Sequence, residues 1–267
     1  MKKIFALLLI VCLAFALVAC KQDNPDETPK CNQHADANYD GVCDTDGCGA
    51  AVEVDVMTYA EYDAAELEEF VIIDAYVQAH QSWWDNKICL YLADEDGAYF
   101  AYNVACSEED AAKLTTGTKI RVYGYKKCWD GVIEIMDGNL HILGGDTYVA
   151  QPIDVTAKLN SEEILAHRNQ FVKFTDMTIS EISYKNGQPG DDIYVTFTNN
   201  GVSYNFCVEK YLTGTSTDLY KLFTQGTLEV GDVVDVEAFL YWWSGDNNPN
   251  DFTAINPHIV SITNINE

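Results

Sequence analysis

Residues 114–125 and 228–239 carry one pattern twice. Leu114-x-x-Gly117-x-x-Ile120-x-Val122-x-Gly124-Tyr125 overlays Leu228-x-x-Gly231-x-x-Val234-x-Val236-x-Ala238-Phe239. Trp129 and Gly131 then fall on Trp243 and Gly245, and three inserted residues bring Asn139-Leu140-His141-Ile142 onto Asn256-Pro257-His258-Ile259. Upstream, Phe70-Val71 pairs with Phe171-Val172, and the hairpin at residues 88–103 with that at 193–207. A repeat this long means that one supersecondary unit of roughly 90–110 residues occurs twice, so any fold has to be built in duplicate.

The elements inside the unit read as strands. Phe70 to Val77 and Ile88 to Leu92 are β-branched and aromatic. The turn Asp94-Glu95-Asp96-Gly97 leads into Tyr99 to Val104 and makes a hairpin. Ser107 to Leu114 (SEEDAAKL) starts with a serine cap and acids in its first turn, which predicts a short helix. Ile120 to Tyr125 and Val132 to Met136 complete five strands. Five strands with a helix before the fourth resemble the OB-fold, a small closed Greek-key barrel. The hairpin Tyr91-Leu92-Ala93-Asp94-Glu95-Asp96-Gly97 through Tyr102-Asn103 is similar to the "YLxDxxGxxxxYN" hairpin of OB-type modules in exported bacterial proteins. The second copy replaces its DG turn with Asn199-Asn200-Gly201. The resemblance covers roughly residues 56–264. The expected fold is mainly β: two tandem five-stranded OB-fold-like barrels (56–145 and 152–264), each with a short helix, after a small irregular Cys-rich segment.

The chain opens Met1-Lys2-Lys3, followed by an uncharged run from Ile4 to Ala19, too short for a comfortable membrane span. It ends in Leu17-Val18-Ala19-Cys20, which resembles the lipobox of bacterial lipoproteins. That resemblance implies a signal peptide at 1–19, a lipidated Cys20, and export to the outer face of the bacterial cell membrane, held there by lipid. Residues 20–30, polar with two prolines, are the expected flexible tether. The formal charge of −26, from 42 acidic and 16 basic residues, repels anionic surfaces and free nucleic acid at long range.

Residues 31–51 interleave two ligand sets. Cys31-x-x-His34 with Cys43-x4-Cys48 offers three thiolates and an imidazole, the donors of a tetrahedral zinc site. Asp36, Asn38, Asp40 and Asp44 place oxygens at positions 1, 3, 5 and 9 of a loop with Gly41 at position 6, the start of a calcium loop. The bidentate glutamate of an EF-hand would fall on Gly47, so a full EF-hand is excluded. The segment resembles dockerin-type aspartate-rich calcium loops and a short Cys/His/Asp module of bacterial surface proteins. Zn and Ca, singly or together, are the expected structural cofactors, against a disulfide-closed or unliganded polar stalk; no organic cofactor is expected. Metal would have to supply the folding energy of so short a segment.

The fourth strand of copy one alternates Lys119, Arg121, Tyr123, Tyr125, Lys127 and Trp129 on one face, the pattern single-strand nucleic-acid binders use. The same face in copy two, Val233, Asp235, Glu237, Phe239, Tyr241 and Trp243, keeps its aromatics and inverts its charges, so at most one barrel can neutralise phosphates. Trp83, Trp84, Trp129, Tyr241, Trp242 and Trp243 are the candidate contacts for a glycan, peptide or protein; the competing role is plugging barrel ends. No G-x-S-x-G elbow, H-E-x-x-H, phosphate loop or dinucleotide signature occurs, so no enzyme is expected. His141 and His258 take equivalent repeat positions, which favours a structural role. Cys89 with Cys128 is a candidate disulfide across neighbouring strands; otherwise Cys89, Cys106, Cys128 and Cys207 are small buried apolar groups. The expected function is non-catalytic ligand binding by a membrane-anchored lipoprotein, with single-stranded nucleic acid on barrel one as the alternative.

Overall fold

The computed structural model describes residues 34–265. The expected signal peptide, lipidated Cys20 and tether, and the candidate ligand Cys31, therefore lie outside the described residues. The chain divides into two units, one ending at Glu53 and the other spanning Val54–Glu267. In the first, one antiparallel bridge, Val42 with Ala51, draws a loop into a small hairpin.

The second unit holds both barrels. Helix α1 (Tyr59–Ala64) opens it, with a capping box in which Thr58 and Glu61 satisfy each other's backbone amides. Strands β1 (Phe70–His80), β2 (Lys87–Ala93) and β3 (Ala98–Ala105) are followed by α2 (Glu108–Ala111), β4 (Lys119–Trp129) and β5 (Val132–Ile142). They close in the order β1-β2-β3-β5-β4, with β3 and β5 parallel. This is the OB-fold-like ring that the repeat predicts. Alternation builds the interior: Ile120 and Val122 point in and are fully buried, between the partly exposed Lys119, Arg121 and Tyr123. Each such aliphatic side chain contributes roughly 1.5–3 kcal/mol on burial.

The second copy runs β6 (Ile153–Asp154), β7 (Phe171–Tyr184), β8 (Ile193–Asn199) and β9 (Val202–Val208), then α3 (Lys210–Thr213) and α4 (Asp218–Thr224), then β10 (Val233–Phe239) and β11 (His258–Asn264). Its sheet order is β10-β11-β9-β8-β7-β6, and β10 also pairs with β7, which repeats the circuit of the first barrel. Two helices stand where one was expected, because the insertion around Gly214 lets the chain start a second helix capped by Thr217.

The copies diverge at one place. In barrel one, Tyr125 pairs with Met136 and Arg121 with His141. In barrel two, Phe239 pairs with His258 and Asp235 with Thr263. His258 is thus the structural counterpart of Met136, not of His141, which corrects the sequence overlay of the two histidines. The reason is the long connection from Leu240 to Pro257, where barrel one makes a tight hairpin at Asp130-Gly131. The candidate Cys89–Cys128 disulfide is also corrected. β2 and β4 are not neighbours in the ring, and both cysteines are free.

The hydrophobic cores are not one per barrel. One cluster lies wholly within barrel one. The other fills barrel two and takes in Cys89, Tyr91, Phe100 and Val132 from barrel one. Among the described residues no helix is long and apolar enough to cross a membrane.

Candidate functional site

Strand β4 displays its basic and aromatic side chains away from the barrel as the alternation predicts, but its cations already have anions. Arg121 holds Asp74, its cross-strand neighbour, through Nε at 2.7 Å and Nη2 at 2.9 Å. Lys119 Nζ lies 3.4 Å from Asp146, and Lys127 Nζ lies 2.9 Å from Asp137. A phosphate on this face competes with these carboxylates. Tyr123 stacks on His141, while Tyr125 and Trp129 are exposed.

The candidate ligand-binding aromatics do not converge. Trp242 is 1% exposed and donates its Nε1 hydrogen to the Asp251 carbonyl at 3.0 Å; it is a plug, and its place among the ligand contacts is corrected. Tyr241 stacks at 4.0 Å on His258 and meets Phe100 of barrel one edge-on at 5.4 Å, so it belongs to the seam between the barrels. Trp83 packs on the core of barrel one and donates to the Cys106 carbonyl at 2.9 Å. Trp84, Trp129 and Trp243 are exposed.

Of these, Trp84 borders a cavity of about 410 Å³ together with Gln81, Ser82, Tyr102, Asn103 and Tyr211. Three local features build it. Asp85 and Asn86 both have positive φ (48° and 58°), and Trp84 and Lys87 exchange backbone hydrogen bonds; this two-residue turn matches strand twist and holds the indole in place, 61% exposed. On β3 the register slips opposite Cys89, and Asn103 takes φ 50°, a bulge that turns Tyr102 outward. The bulge is held by the Cys89 thiol, which receives the Asn103 amide at 3.3 Å and donates to Asn103 Oδ1 at 3.5 Å. Burial pushes that thiol up to about 11, so it stays a neutral donor. From barrel two, the Glu209 carboxylate caps α3 at the Leu212 amide, and Tyr211 stands 52% exposed on that turn. The Ser82 amide donates to the Tyr211 carbonyl at 2.8 Å, which ties the two barrels together at the cleft.

Behind the cleft lie buried ionisable groups. Tyr91 Oη shares a 2.6 Å hydrogen bond with His258 Nδ1 across the seam. Burial lowers His258 to about 3, so its ring is neutral. Burial raises Glu134 to about 8 and holds Glu209 above the usual carboxylate range. Sequence reasoning missed Tyr102, Asn103 and Tyr211 as site residues. Tyr102-Asn103 closes the hairpin motif, which is a signal for the first two; Tyr211 follows no periodic pattern.

In the first unit, Gly41 (φ 83°) and Gly47 (φ 72°) allow the turns that bring His34, Cys43 and Cys48 together. Their ligand atoms all lie within 4.8 Å of one another, and His34 Nδ1 is 3.4 Å from Cys48 Sγ. Hydrogen bonds from Thr45, with a smaller one from His34, lower the Cys43 thiol to about 7, toward the thiolate a metal requires. The cluster can hold a metal such as zinc. Cys48 is disulfide-bonded here, so its use as a thiolate ligand requires that bond to be reduced. Asp36, Asn38, Asp40 and Asp44 share the preceding loop. Asp36 accepts the Asp40 and Gly41 amides (3.1 and 2.8 Å), Asp44 accepts the Ala37 amide (2.6 Å), and Asn38 donates to Asp40 (3.0 Å).

No protein-family model matches the chain, and no curated protein does. Solved structures similar to it include asparaginyl-tRNA synthetase from Pyrococcus horikoshii complexed with asparaginyl-adenylate (21% identity, 42% of this chain, TM-score 0.29); the chain spans only 27% of that protein's length. The Ifi202 HINa domain in complex with 20 bp dsDNA matches at 12% identity over 73% of this chain and 92% of its own, with a TM-score of 0.33. A replication protein A heterotrimer bound to ssDNA matches at 14% identity over 67% of this chain and 46% of its own, with a TM-score of 0.29.

Proposed function

We propose that this chain is a non-catalytic binding module that takes an uncharged chain ligand, a glycan in the first instance, in the cleft between Trp84, Tyr102 and Tyr211. One observation carries this reading: three exposed rings and the side-chain amides of Gln81 and Asn103 border a single 410 Å³ cavity. Flat rings cover sugar faces at little entropic cost, and amides give directed hydrogen bonds without charge. The lipobox expectation adds display at the outer face of a membrane. The Cys/His cluster serves as a zinc-stabilised joint, and the aspartate loop beside it as a calcium site. Glycan-array binding followed by calorimetry tests the reading: Trp84→Ala and Tyr211→Ala each weaken the selected glycan at least tenfold. Unchanged affinity in both variants removes it.

A second reading, single-stranded nucleic acid on barrel one, rests on the exposed Tyr125 and Trp129 flanking Lys127 along β4. The DNA complexes named above are too dissimilar, at those TM-scores, to weigh on either side. Oligonucleotide binding that falls steeply with salt and is lost in Tyr125→Ala with Trp129→Ala supports it; no binding at low salt ends it.

A further inference from the structure

A second cavity, of about 190 Å³, lies where α1 and β4 of barrel one meet the loops of barrel two, with Tyr62, Asp63, Lys126, Ile133, Arg168 and Asn250 among its walls. In a chain with 42 acidic residues, most described lysines and arginines sit on a carboxylate, yet Lys126 and Arg168 make no ion pair among the described residues. Lys126 follows the inward phase of Ile120, Val122 and Gly124, and its buried ammonium donates to the carbonyls of Tyr62, Asp63 and Ala65, each at 2.8 Å. Those bonds satisfy its hydrogens, and the carboxylates of Asp63 and Glu69 act on its charge only from beyond ion-pair distance. Arg168 uses Nη2 on the Pro249 carbonyl at 2.6 Å and Asn250 Oδ1 at 3.1 Å. Its Nε is buried without a hydrogen-bond partner among the described residues, and so is the hydroxyl of Tyr62, a residue only 3% exposed. A buried donor left unpaired is costly, so two on one cavity, beside two cations that lack an ion pair among the described residues, mark a place made for an acceptor that carries negative charge.

We propose that this cavity binds the carboxylate of a small organic acid or of a peptide C-terminus, with Arg168 and Tyr62 as its donors. One negative charge fits better than two, because the Asp63 carboxylate stands at the rim and the Arg168 Nη2 edge is already engaged. The walls from Tyr59, Leu67 and Ile133 fit a short apolar chain behind the carboxylate. This site is separate from the aromatic cleft and does not depend on the reading given to it.

Calorimetry on the full chain tests it with five probes: valerate, neutral valeramide, inorganic phosphate, a tripeptide with a free C-terminus, and the same tripeptide amidated. Saturable binding of valerate or of the free-ended tripeptide, without binding of the matching amide, is the expected result, and whichever binds identifies the source of the carboxylate. Arg168→Gln weakens that binding at least tenfold and Tyr62→Phe several-fold. Equal binding of valerate and valeramide, tighter binding of phosphate than of either carboxylate, or no binding at all overturns the proposal. Should Arg168→Gln fail to fold, Tyr62→Phe, which keeps the ring, decides: unchanged affinity overturns the assignment.

Discussion

The two barrels share a circuit and differ in the stretch of chain beyond their fourth strand. In barrel one, β4 and β5 each run 11 residues and meet in a tight turn. In barrel two, β10 and β11 run 7 residues each, and the chain between them leaves the sheet. The long hairpin of barrel one carries Lys126 into the seam and Trp129 into solvent. The released connection of barrel two lays Trp242 into its core and joins the other barrel through the Ser244 amide, which donates to the Asp130 carbonyl at 2.6 Å. Matching strands thus do different work: one exposes side chains and the other covers a seam. An equivalence read from sequence holds inside the ring and fails beyond it.

Removing the cover should have the largest effect. Trp242→Ala leaves a large void in a fully buried site and is expected to destabilise by about 3–5 kcal/mol in denaturant unfolding. Truncating an exposed indole beyond the fourth strand of barrel one, Trp129→Ala, should change stability by less than about 0.5 kcal/mol. Similar losses at both positions would break the comparison.

Next comes Gly124, where the register of β4 against β5 shifts between Tyr123 and Tyr125. A Cβ at Gly124 would meet the Met136 carbonyl oxygen at 2.6 Å and Gly138 Cα at 2.9 Å, both backbone atoms that cannot swing away. Gly124→Ala should therefore cost about 1–3 kcal/mol, although a buried alanine, Ala238, occupies the matching position of barrel two. A neutral Gly124→Ala would show that the two positions are interchangeable.

Acid and base should act on opposite barrels. His258 has its folded pKa depressed to about 3, so the unfolded chain takes up the proton first as pH falls below about 6.5. Its contribution is complete above that value and is lost toward pH 3. Glu134 has its folded pKa raised to about 8, so the native state holds a proton that the unfolded chain releases near pH 4.5. Its contribution is complete below about 4.5 and declines toward pH 8. Each slope is at most about 1.4 kcal/mol per pH unit. In urea titrations across pH, Glu134→Gln should flatten the alkaline decline and leave the acid limb intact; an unchanged alkaline limb would sink the assignment.

The smallest effect on stability belongs to Trp84→Ala, expected within about 0.5 kcal/mol because the ring rests on a rigid turn and not in a core. A larger loss of stability in thermal unfolding would move Trp84 from the cleft to the scaffold.

Much of the fold was legible because strand periodicity and the duplicated motif are local signals. Ile120, Val122 and their counterparts Val234 and Val236 fall inward as their spacing requires. The cleft was far less so. Trp84 stands out in the sequence as half of a tryptophan pair, but Tyr211 reaches the site only because α3 docks beside Ser82, a contact 129 residues long-range in sequence. Trp242 and Trp243 are neighbours in the chain with opposite fates, and no period separates a plug from a surface ring once the strand has ended. Lys126 could have been found: its phase was inward, and a lysine in that phase needs acceptors waiting for it.

The hydrogen bond from Tyr91 to His258 also bears on how the molecule comes apart. Tyr91 belongs to the first barrel but lies in the hydrophobic cluster of the second, beside Phe239 and Phe100. Opening barrel two strips partners from β2 and β3, so neither barrel has a melting point of its own. Calorimetry should record one endotherm for both, and amide exchange on β2 should keep pace with that on β11.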